Sequence, residues 1–457
     1  MRQVARFSLR RDEPVRGDEL KHLVCEAIDG RRDEIERLGD DIMAHPETGF
    51  KEHRTASVVA ETMGACGVAH ETGLAITGVK GVLEGGQPGP TVALLGELDS
   101  LVVTGHPQAD PGTDAAHACG HNAQIAGLLG AMMGLVDSGV AKDLAGRVVF
   151  FAVPAEEYVE VEFRLGLVKA GKLGLLGGKP ELIRLGCFDD VDMAAMIHTH
   201  SDPGMRTAAS SASSNGCVVK MVRFLGKAAH AGGAPHEGVN ALNAAQIALS
   251  AINAQRETFR DEDSIRVHPI ITKGGDLVNI VPSEVRLETY VRGKTNEAIL
   301  DANAKVDRAL RAGAMAVGAR VEIETLPGYM PLRNDATLTG LFQANAEALF
   351  GKDEYCEVGH RTGSTDMGDL SHVMPAIHPY MAGASGQGHS IDWTISDRNL
   401  AYMGPAKTLA MTAVDLLCEG GETGKRVLET HEPAMTKAEY LKFQEGMFRT
   451  ELYGEEN

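Results

Sequence analysis

Two stretches of the chain, TVALLGELD (91–99) and RVVFFAVPAEE (147–157), decide the fold. In each, a run of consecutive apolar residues ends in carboxylates. A strand that is apolar on both sides is buried on both faces, as in the parallel sheets of α/β proteins. Between them lies NAQIAGLLGAMMGLVD (122–137), whose length and apolar character predict a buried helix. The order strand, helix, strand predicts an α/β sheet covered by helices on both faces.

The same alternation continues outward from this centre. Helical periodicity predicts helices over 19–43 and 54–65, and short strands are predicted over 74–83. The segment VDMAAMIH (191–198) is a further apolar segment, as expected for a buried strand.

The middle of the chain has a different pattern. From CVVKMVRFLG (217–226) onward, the predicted order is strand, helix, strand, strand, helix, strand, and the strands alternate apolar and polar residues. This order is typical of ferredoxin-like α+β domains with a four-stranded antiparallel sheet. We therefore predict a separate domain over 211–326, inserted into an α/β domain formed by 1–210 and 327–457.

The composition limits the possible functions. The 457 residues include 44 Lys+Arg and 63 Asp+Glu, a net charge of −19, which would repel nucleic acids and anionic lipids. No apolar run reaches the roughly 18 residues that span a bilayer, and MRQVARFSLRRDEPVRGDE (1–19) lacks the apolar stretch of a signal peptide. Seven scattered cysteines fit reduced thiols. We expect a soluble cytoplasmic protein with no nucleic-acid or membrane partner.

Polar residues at the ends of apolar segments are candidates for a metal site. In HACGH (117–121), Cys119 and His121 are two residues apart. In an extended segment such residues point the same way, so both could approach one metal ion. Taken alone, the triplet is weak evidence for a metal site and better fits a buried cysteine beside a capping histidine.

Glu156 and Glu157 directly follow a buried strand, where α/β sheets form ligand sites. Their side chains diverge, so one could bind a metal while the other holds the water that the metal acidifies. A solvated helix start is the alternative. His198 and His200 end another apolar strand, and His389 lies in a glycine-rich loop. Each fits a structural histidine, but one Cys/His/Glu cluster accounts for all of them more economically.

Taken together, the motifs resemble those of a metallopeptidase family. It contains aminoacylases, hippurate hydrolases, indole-acetyl-amino-acid hydrolases, aminobenzoyl-glutamate hydrolases and related dipeptidases. Nine motifs occur in the family's order and spacing, over about residues 20–420: HPETGF, HACGH, PAEE, a histidine at a strand end, GKAAHAGGAPHEGVNAL, GGDLVNIVP, YVRG, GSTDMGD and a late GH.

The resemblance implies a zinc-peptidase-like α/β catalytic domain, with the inserted domain as lid and dimerisation surface of a homodimer. It implies two divalent metal ions, Zn²⁺ or Mn²⁺, held by Cys119, His121, Glu157, His198 and His389. Cys119 would bridge the ions, and His200 is the alternative to His198. Glu156 would be the general base and acid. The lid would supply groups that bind the substrate's carbonyl oxygen and carboxylate, often across the dimer: His230, Asn279 and Arg292.

The chain departs from the family pattern around these residues. Asn122 and Gln124 stand where close relatives usually have Asp and His, Glu97 where an Asp often orients the site, and Thr365 where a Glu is common. None of the four replaces a candidate ligand or the base. They bear on metal preference and substrate choice, because outer-shell residues tune a metal site.

The sequence therefore predicts a metal-dependent amidohydrolase that cleaves an N-acyl or N-aroyl amino acid, such as an aminobenzoyl-glutamate-like substrate with a free carboxylate. The alternatives are a dipeptidase or carboxypeptidase of the same family, and a catalytically silent relative that binds amino-acid conjugates. A serine hydrolase is disfavoured because the chain has no GxSxG elbow.

Overall fold

The structure is a computed structural model that describes residues 17–455. Most of the N-terminal segment used for the signal-peptide expectation therefore lies outside the described residues. The α-helices are α1 (Gly17–Gly30), α2 (Arg32–Met43), α3 (His53–Ala65), α4 (His121–Asp137), α5 (Val161–Lys169), α6 (Gly178–Leu185), α7 (Ala241–Gln255), α8 (Asn296–Val317), α9 (Ala336–Phe350), α10 (Met367–Val373), α11 (Gly404–Leu417), α12 (Glu422–Thr430) and α13 (Lys437–Met447).

The strands of the first half are β1 (Ala69–Leu74), β2 (Gly78–Glu84), β3 (Gln87–Glu97), β4 (Leu101–Val102), β5 (Ala115–Ala116), β6 (Ala145–Val153), β7 (Met193–Ala195), β8 (His198–His200), β9 (Ala208–Ser211), β10 (Ser213–Ser214) and β11 (Gly216–Leu225). Those of the second half are β12 (Arg266–Val267), β13 (Ile270–Lys273), β14 (Glu284–Gly293), β15 (Arg320–Pro327), β16 (Leu332–Arg333), β17 (Tyr355–Val358), β18 (Ala376–Ile377), β19 (Tyr380–Ala382), β20 (Ala384–Ser385), β21 (Thr394–Ile395) and β22 (Arg449–Tyr453).

The central sheet has six strands in the order β1-β2-β6-β3-β7-β18. From β6 to β18 neighbouring strands are parallel, whereas β1 and β2 are antiparallel additions at one edge. Successive residues of β3 belong to two apolar cores: Val92 and Leu94 pack in one, Ala93 and Leu95 in the other. Helices α1, α2, α4 and α11 contribute to the first core, and α6, α10 and α13 to the second. The predicted α/β sheet, covered on both faces, is confirmed.

The apolar segment 191–198 differs from the single strand expected there. It contains β7, which belongs to the central sheet, and the first residue of β8, which belongs to a four-stranded sheet ordered β17-β9-β19-β8. Strand β7 ends at Ala195, which is also the last of its residues that pairs with β18. This change of sheet sets His198 at the start of a new strand.

The middle of the chain forms a second large sheet, with β12 and β13 beside β14, followed by β11, β15 and β22. All its pairings are antiparallel, and its apolar core includes residues of α7 and α8. The elements from β11 to β15 follow the expected order, but the single strand expected between α7 and β14 is divided into β12 and β13. With β22, the sheet has six strands instead of the expected four. The last strand of the chain, β22, pairs with β15 although it lies beyond residue 326. The division into 1–210 with 327–457 and 211–326 stays a prediction, and it did not anticipate this pairing.

Polar caps begin several of the helices. The side chain of Asn240 accepts the backbone N–H groups of Leu242 and Asn243 at the start of α7, and Thr295 accepts that of Ala298 at the start of α8. Such caps satisfy N–H groups that have no partner within the helix. Among the described residues, all seven cysteines are free thiols, and no helix is long and apolar enough to span a membrane.

A buried ion pair links the second sheet to its helices. Lys220 on β11 is fully buried; its Nζ lies 2.5 Å from Asp307 Oδ1 on α8 and donates to Thr325 Oγ1 at 2.8 Å. The carboxylate of Asp307 also accepts from Arg449 of β22 at 2.5 Å. Removing one partner of a buried pair leaves an uncompensated charge, which is strongly destabilising.

We predict that Lys220→Met lowers the free energy of unfolding of this sheet by about 3 kcal/mol, because Asp307 loses its buried partner. The control is Arg223→Met on the same strand, whose half-exposed guanidinium pairs with Glu284 and Glu322. Exposed pairs contribute at most about 1 kcal/mol. Native-state hydrogen exchange of β11 and β15 amides measures both, and equal losses in the two variants would contradict the account.

Candidate metal centre

The candidate residues lie at the edge of the central sheet where its parallel strands have their carboxyl ends. Parallel strands β3 and β6 end at Glu97 and Val153, and the segments that follow carry Asp99 and the pair Glu156–Glu157. Helix α4 begins at His121, directly after Cys119 and Gly120. Because parallel strands place their carboxyl ends at the same edge, these side chains converge, as ligand sites of α/β sheets do.

Gly120 allows the Cys119–His121 turn to approach the rest of the site. Its φ is +105°, and an added Cβ would lie 3.0 Å from the Thr199 side chain and 3.3 Å from that of Trp393. Only glycine adopts this conformation without strain and without that crowding.

The turn that carries Glu156 and Glu157 is held through its backbone. Ala155 has φ +56°, and its N–H donates to the buried carboxylate of Glu52 at 2.8 Å. The buried guanidinium of Arg164 donates to the carbonyls of Ala155 and Glu157, and the hydroxyl of Tyr329 donates to the carbonyl of Glu156. A left-handed residue other than glycine costs about 1–3 kcal/mol and persists only where its surroundings fix it. The two carboxylates are thus presented from a fixed backbone.

Two groups of potential ligands share Cys119. The first is Cys119, His121 and His198, and the second is Cys119, Glu157 and His389; within each group the ligand atoms lie within 4.8 Å of one another. Cys119 Sγ is 3.3 Å from His198 Nε2, and His389 Nε2 is 3.5 Å from Glu157 Oε1. The five residues named from the sequence as candidate ligands therefore come together, with the cysteine in both groups.

The backbone orients two of the histidine rings. His121 Nδ1 lies 2.8 Å from the carbonyl oxygen of Asp99, and His198 Nδ1 lies 2.7 Å from that of Thr199. A carbonyl can only accept, so each Nδ1 carries a proton and each Nε2 points to the cluster. Burial lowers the pKa of His121, but Glu97 and Cys119 outweigh it and raise that pKa well above its usual range, so a metal ion at Nε2 would take the place of a proton. Asp99 also accepts the N–H of Glu157 at 2.8 Å, which joins the two groups of potential ligands.

Burial dominates the electrostatics of the cluster. It lowers the pKa of His198 to about 4, with His121 adding to the effect, which keeps the ring neutral. Burial, reinforced by Glu157, raises the pKa of the Cys119 thiol well above its usual range. Burial also raises the pKa of Glu156 well above its usual range, with the neighbouring carboxylates Glu97 and Glu157 contributing. Burial thus disfavours the charged forms of Cys119, Glu156 and His198, and a bound cation would offset that penalty for the thiolate and the carboxylate.

Lys179 is a residue of this site that the sequence did not reveal. It is fully buried, and its ammonium donates to Glu97 Oε1 at 2.6 Å and to the carboxylate of Asp366. Gln124 donates to Glu97 Oε2 at 2.7 Å. Burial alone would raise the pKa of Glu97, but Lys179 and His121 outweigh it and hold the pKa below its usual range. The position of Glu97 at the end of an apolar segment was visible in the sequence. The sequence around Lys179 contains no pattern that indicates a role in the site.

The cluster opens into a cleft of about 1050 Å³ whose lining includes Glu156, Glu157, His200, Arg361 and His378. His200, the alternative candidate ligand, has its Nε2 2.9 Å from the carbonyl oxygen of Arg206, so that nitrogen is a donor. His378 is buried with both ring nitrogens unpartnered, and its ring centre is 5.6 Å from that of His198. Its position, like that of Asp99, could be suspected only from its place at the end of an apolar strand.

The three candidates of the lid lie outside the lining of this cleft. His230 and Asn279 are exposed neighbours in the loops that follow β11 and β13, where Ala231 N donates to the Asn279 carbonyl at 2.9 Å. Arg292 ends β14, lies over the ring of Tyr290 and donates to Ser364 Oγ at 3.3 Å. Ser364 itself lines the cleft, so Arg292 contacts its margin.

Comparisons with known proteins agree on one family. Residues 93–404 match the model of peptidase family M20/M25/M40. The Xaa-Arg dipeptidase of Mus musculus is 30% identical over 418 residues, covering 87% of this chain and 89% of the relative. One chain of the p-aminobenzoyl-glutamate hydrolase of Escherichia coli is 27% identical over 352 residues, covering 74% of this chain and 66% of the relative.

Solved structures show the same fold. A dinuclear metal binding peptidase of the M20 family from Bacillus subtilis has a TM-score of 0.63 and 20% identity, covering 85% of this chain and 99% of that one. The family resemblance inferred from the motifs is confirmed. The prediction of a hydrolase that acts on amide bonds is confirmed with it. The chain belongs to peptidase family M20/M25/M40 and is a metal-dependent amidohydrolase or peptidase.

Proposed function

We propose that this protein hydrolyses the amide bond of an N-acyl or N-aroyl amino acid at a dinuclear metal centre. Its ligands are Cys119, His121, Glu157, His198 and His389, with Cys119 shared. The observation that carries the proposal is that the two groups of potential ligands meet at the sulfur of Cys119.

The donor atoms fit divalent ions. Within residues 17–455, the buried atoms His121 Nε2 and Glu157 Oε1 have no hydrogen-bond partner, and both residues belong to the clustered ligand groups. Buried polar atoms are rarely left unpaired, so two such atoms in one cluster favour a bound cation. Thiolate and imidazole suit zinc, and carboxylates also suit manganese. When bound, two such ions acidify a water and polarise the amide carbonyl.

Glu156 acts as the proton shuttle in this proposal. Its carboxylate lines the cleft, and its Oε2 lies 3.9 Å from His121 Nε2, beside the candidate ligands. It takes a proton from the attacking water and gives it to the departing amine nitrogen. Burial, with the neighbouring carboxylates, raises the pKa of Glu156, which makes its carboxylate a stronger base for the first step.

The substrate is proposed from the relatives and the cleft. The two relatives compared above are a dipeptidase and an aminobenzoyl-glutamate hydrolase. An amide next to a free carboxylate is common to both kinds of substrate, and Arg292 would bind that carboxylate through its planar fork. A dipeptide is the second candidate, favoured by the mouse relative. A silent binding relative is disfavoured, because the base and all five ligand candidates are present.

The lid is proposed to complete the site of a second subunit. The edge strand β13 and the loop after it, which carries Asn279, expose the apolar side chains of Ile270, Ile271, Leu277, Val278 and Ile280. Clustered exposed apolar side chains mark interaction surfaces. A homodimer that buries this edge would bring His230 and Asn279 to the partner's cleft. The free cysteines fit the reducing cytoplasm as the proposed location.

Glu156→Gln and Glu157→Gln separate the base from the ligand. We predict that Glu156→Gln retains both metal ions and loses about 10²–10⁴-fold in turnover, because general acid–base catalysis contributes that much. Glu157→Gln should lose metal. Elemental analysis and turnover of the two variants measure this, and an active Glu156→Gln enzyme would refute the shuttle.

Arg292→Lys tests carboxylate recognition. The lysine keeps the charge but loses the bidentate geometry, so KM should rise far more for a free-acid substrate than for its amide, with metal content unchanged. Arg361→Lys is the matched control, because Arg361 also lies at the cleft. If KM of Arg292→Lys rises equally for the free acid and for the amide, Arg292 supports the fold of the lid and does not recognise the substrate carboxylate.

Mixed subunits test the contribution across the dimer. His230→Ala and Glu156→Gln should each be inactive alone, and mixing them with subunit exchange should restore activity, since one site then has both groups intact. Mixing His230→Ala with Asn279→Ala is the control, because each site still lacks one lid residue. No recovery in the first mixture, with exchange verified, would show that His230 does not act across subunits.

A further inference from the structure

A sixth side chain faces the candidate metal centre. Glu97 Oε2 lies 3.1 Å from His121 Nε2, the nitrogen that points to the cluster, and both residues are about 1% exposed. His121 Nε2 nevertheless has no hydrogen-bond partner in the described part of the chain. The two atoms are close but not aligned on one another.

The separation of these atoms fits two donors on one ion. Zinc binds imidazole nitrogen and carboxylate oxygen at about 2.0–2.2 Å, so two donors on one ion lie about 3 Å apart at a bond angle a little above 90°. Glu97, His121 and Glu156 form a third group of potential ligands within 4.8 Å of one another. This group shares His121 with the first.

Contacts behind Glu97 fix its direction. Lys179 holds Oε1 at 2.6 Å and Gln124 contacts Oε2 at 2.7 Å, while Lys179 is itself held by Asp366. A carboxylate oxygen has two lone pairs, so Oε2 can accept from Gln124 and still bind a metal. Metal-binding carboxylates are usually hydrogen-bonded in this way by outer partners.

The length of the side chain matters. An aspartate at position 97 would withdraw the carboxylate by one carbon–carbon bond, about 1.5 Å. It could not both reach the ion and remain on Lys179. The glutamate at this position and the buried lysine behind it therefore act together.

We propose that Glu97 is a sixth metal-binding side chain, which binds through Oε2 the ion held by His121, and that Lys179 positions it by holding Oε1. This inference rests on the proposed dinuclear centre. An added carboxylate makes the His121 ion richer in oxygen donors, which favours a harder ion such as Mn²⁺ at that position.

The test measures metal binding and not turnover. The metal-free forms of the wild type, Glu97→Asp, Glu97→Gln and Glu97→Gln/Lys179→Met are titrated with Zn²⁺ and Mn²⁺ against a chromophoric chelator, and absorption spectra of the Co²⁺-loaded proteins are recorded. Glu97→Asp retains the charge opposite Lys179, so it separates the loss of a ligand from the loss of a counter-charge. Circular dichroism of each metal-free variant checks the fold.

We expect Glu97→Asp and Glu97→Gln to lower the affinity for one of the two ions by about 100-fold or more, beyond the 10–100-fold typical of outer-shell changes. Both variants should also change the Co²⁺ spectrum. Glu97→Gln/Lys179→Met should not regain the wild-type metal affinity. Wild-type affinity and spectrum in Glu97→Asp, or recovery in the double variant, would show that Glu97 only balances Lys179. Glu157→Gln is the control: if it too leaves both ions bound as in the wild type, the proposed centre itself is wrong.

Discussion

The burial of negative charge at one edge of the central sheet is the constraint on which the rest of the site depends. Five carboxylates converge there, those of Glu97, Asp99, Glu156, Glu157 and Asp366, and Lys179 supplies a buried positive charge between two of them. Buried charges are stable only when paired. Cations bound there would offset the charge of the ionised carboxylates, and His121 Nε2 and Glu157 Oε1, buried and without a hydrogen-bond partner among the described residues, mark where they would bind. The proposed metal centre is therefore tied to the packing of the sheet edge as well as to the ligands themselves.

The same edge is joined to the second sheet. Tyr158, directly after Glu157, donates its hydroxyl to the carbonyl of Pro327 at the end of β15, and Tyr290 of β14 donates to the carbonyl of Tyr158 at 2.6 Å. The turn that carries the proposed base and a proposed ligand thus contacts β14 and β15 of the second sheet. If the second sheet moves as the proposed lid, these two hydroxyls connect that movement to Glu156 and Glu157.

Local patterns predicted what depends on local physics. Continuous apolar runs gave β3, β6 and α4, and alternation gave the second sheet, because periodicity reports burial directly. The position of Cys119, His121 and Glu157 at strand and helix ends indicated a common site. The pairing of β22 with β15, the break between β7 and β8, and the meeting of Lys179 with Glu97 and Asp366 depend on contacts between distant segments. No period or spacing in a single sequence encodes contacts between distant segments. The position of His230 outside the lining of the cleft could not be predicted for the same reason.

The central claim is that two ions share the sulfur of Cys119. Crystals of the protein loaded with Zn²⁺ or Mn²⁺, with anomalous diffraction measured at the metal absorption edge, test it most directly. The account predicts two peaks roughly 3.5–4 Å apart, as in other two-metal sites, each about 2.3 Å from Cys119 Sγ if zinc is bound. A single peak, or two peaks of which only one lies within bonding distance of Cys119, would contradict it.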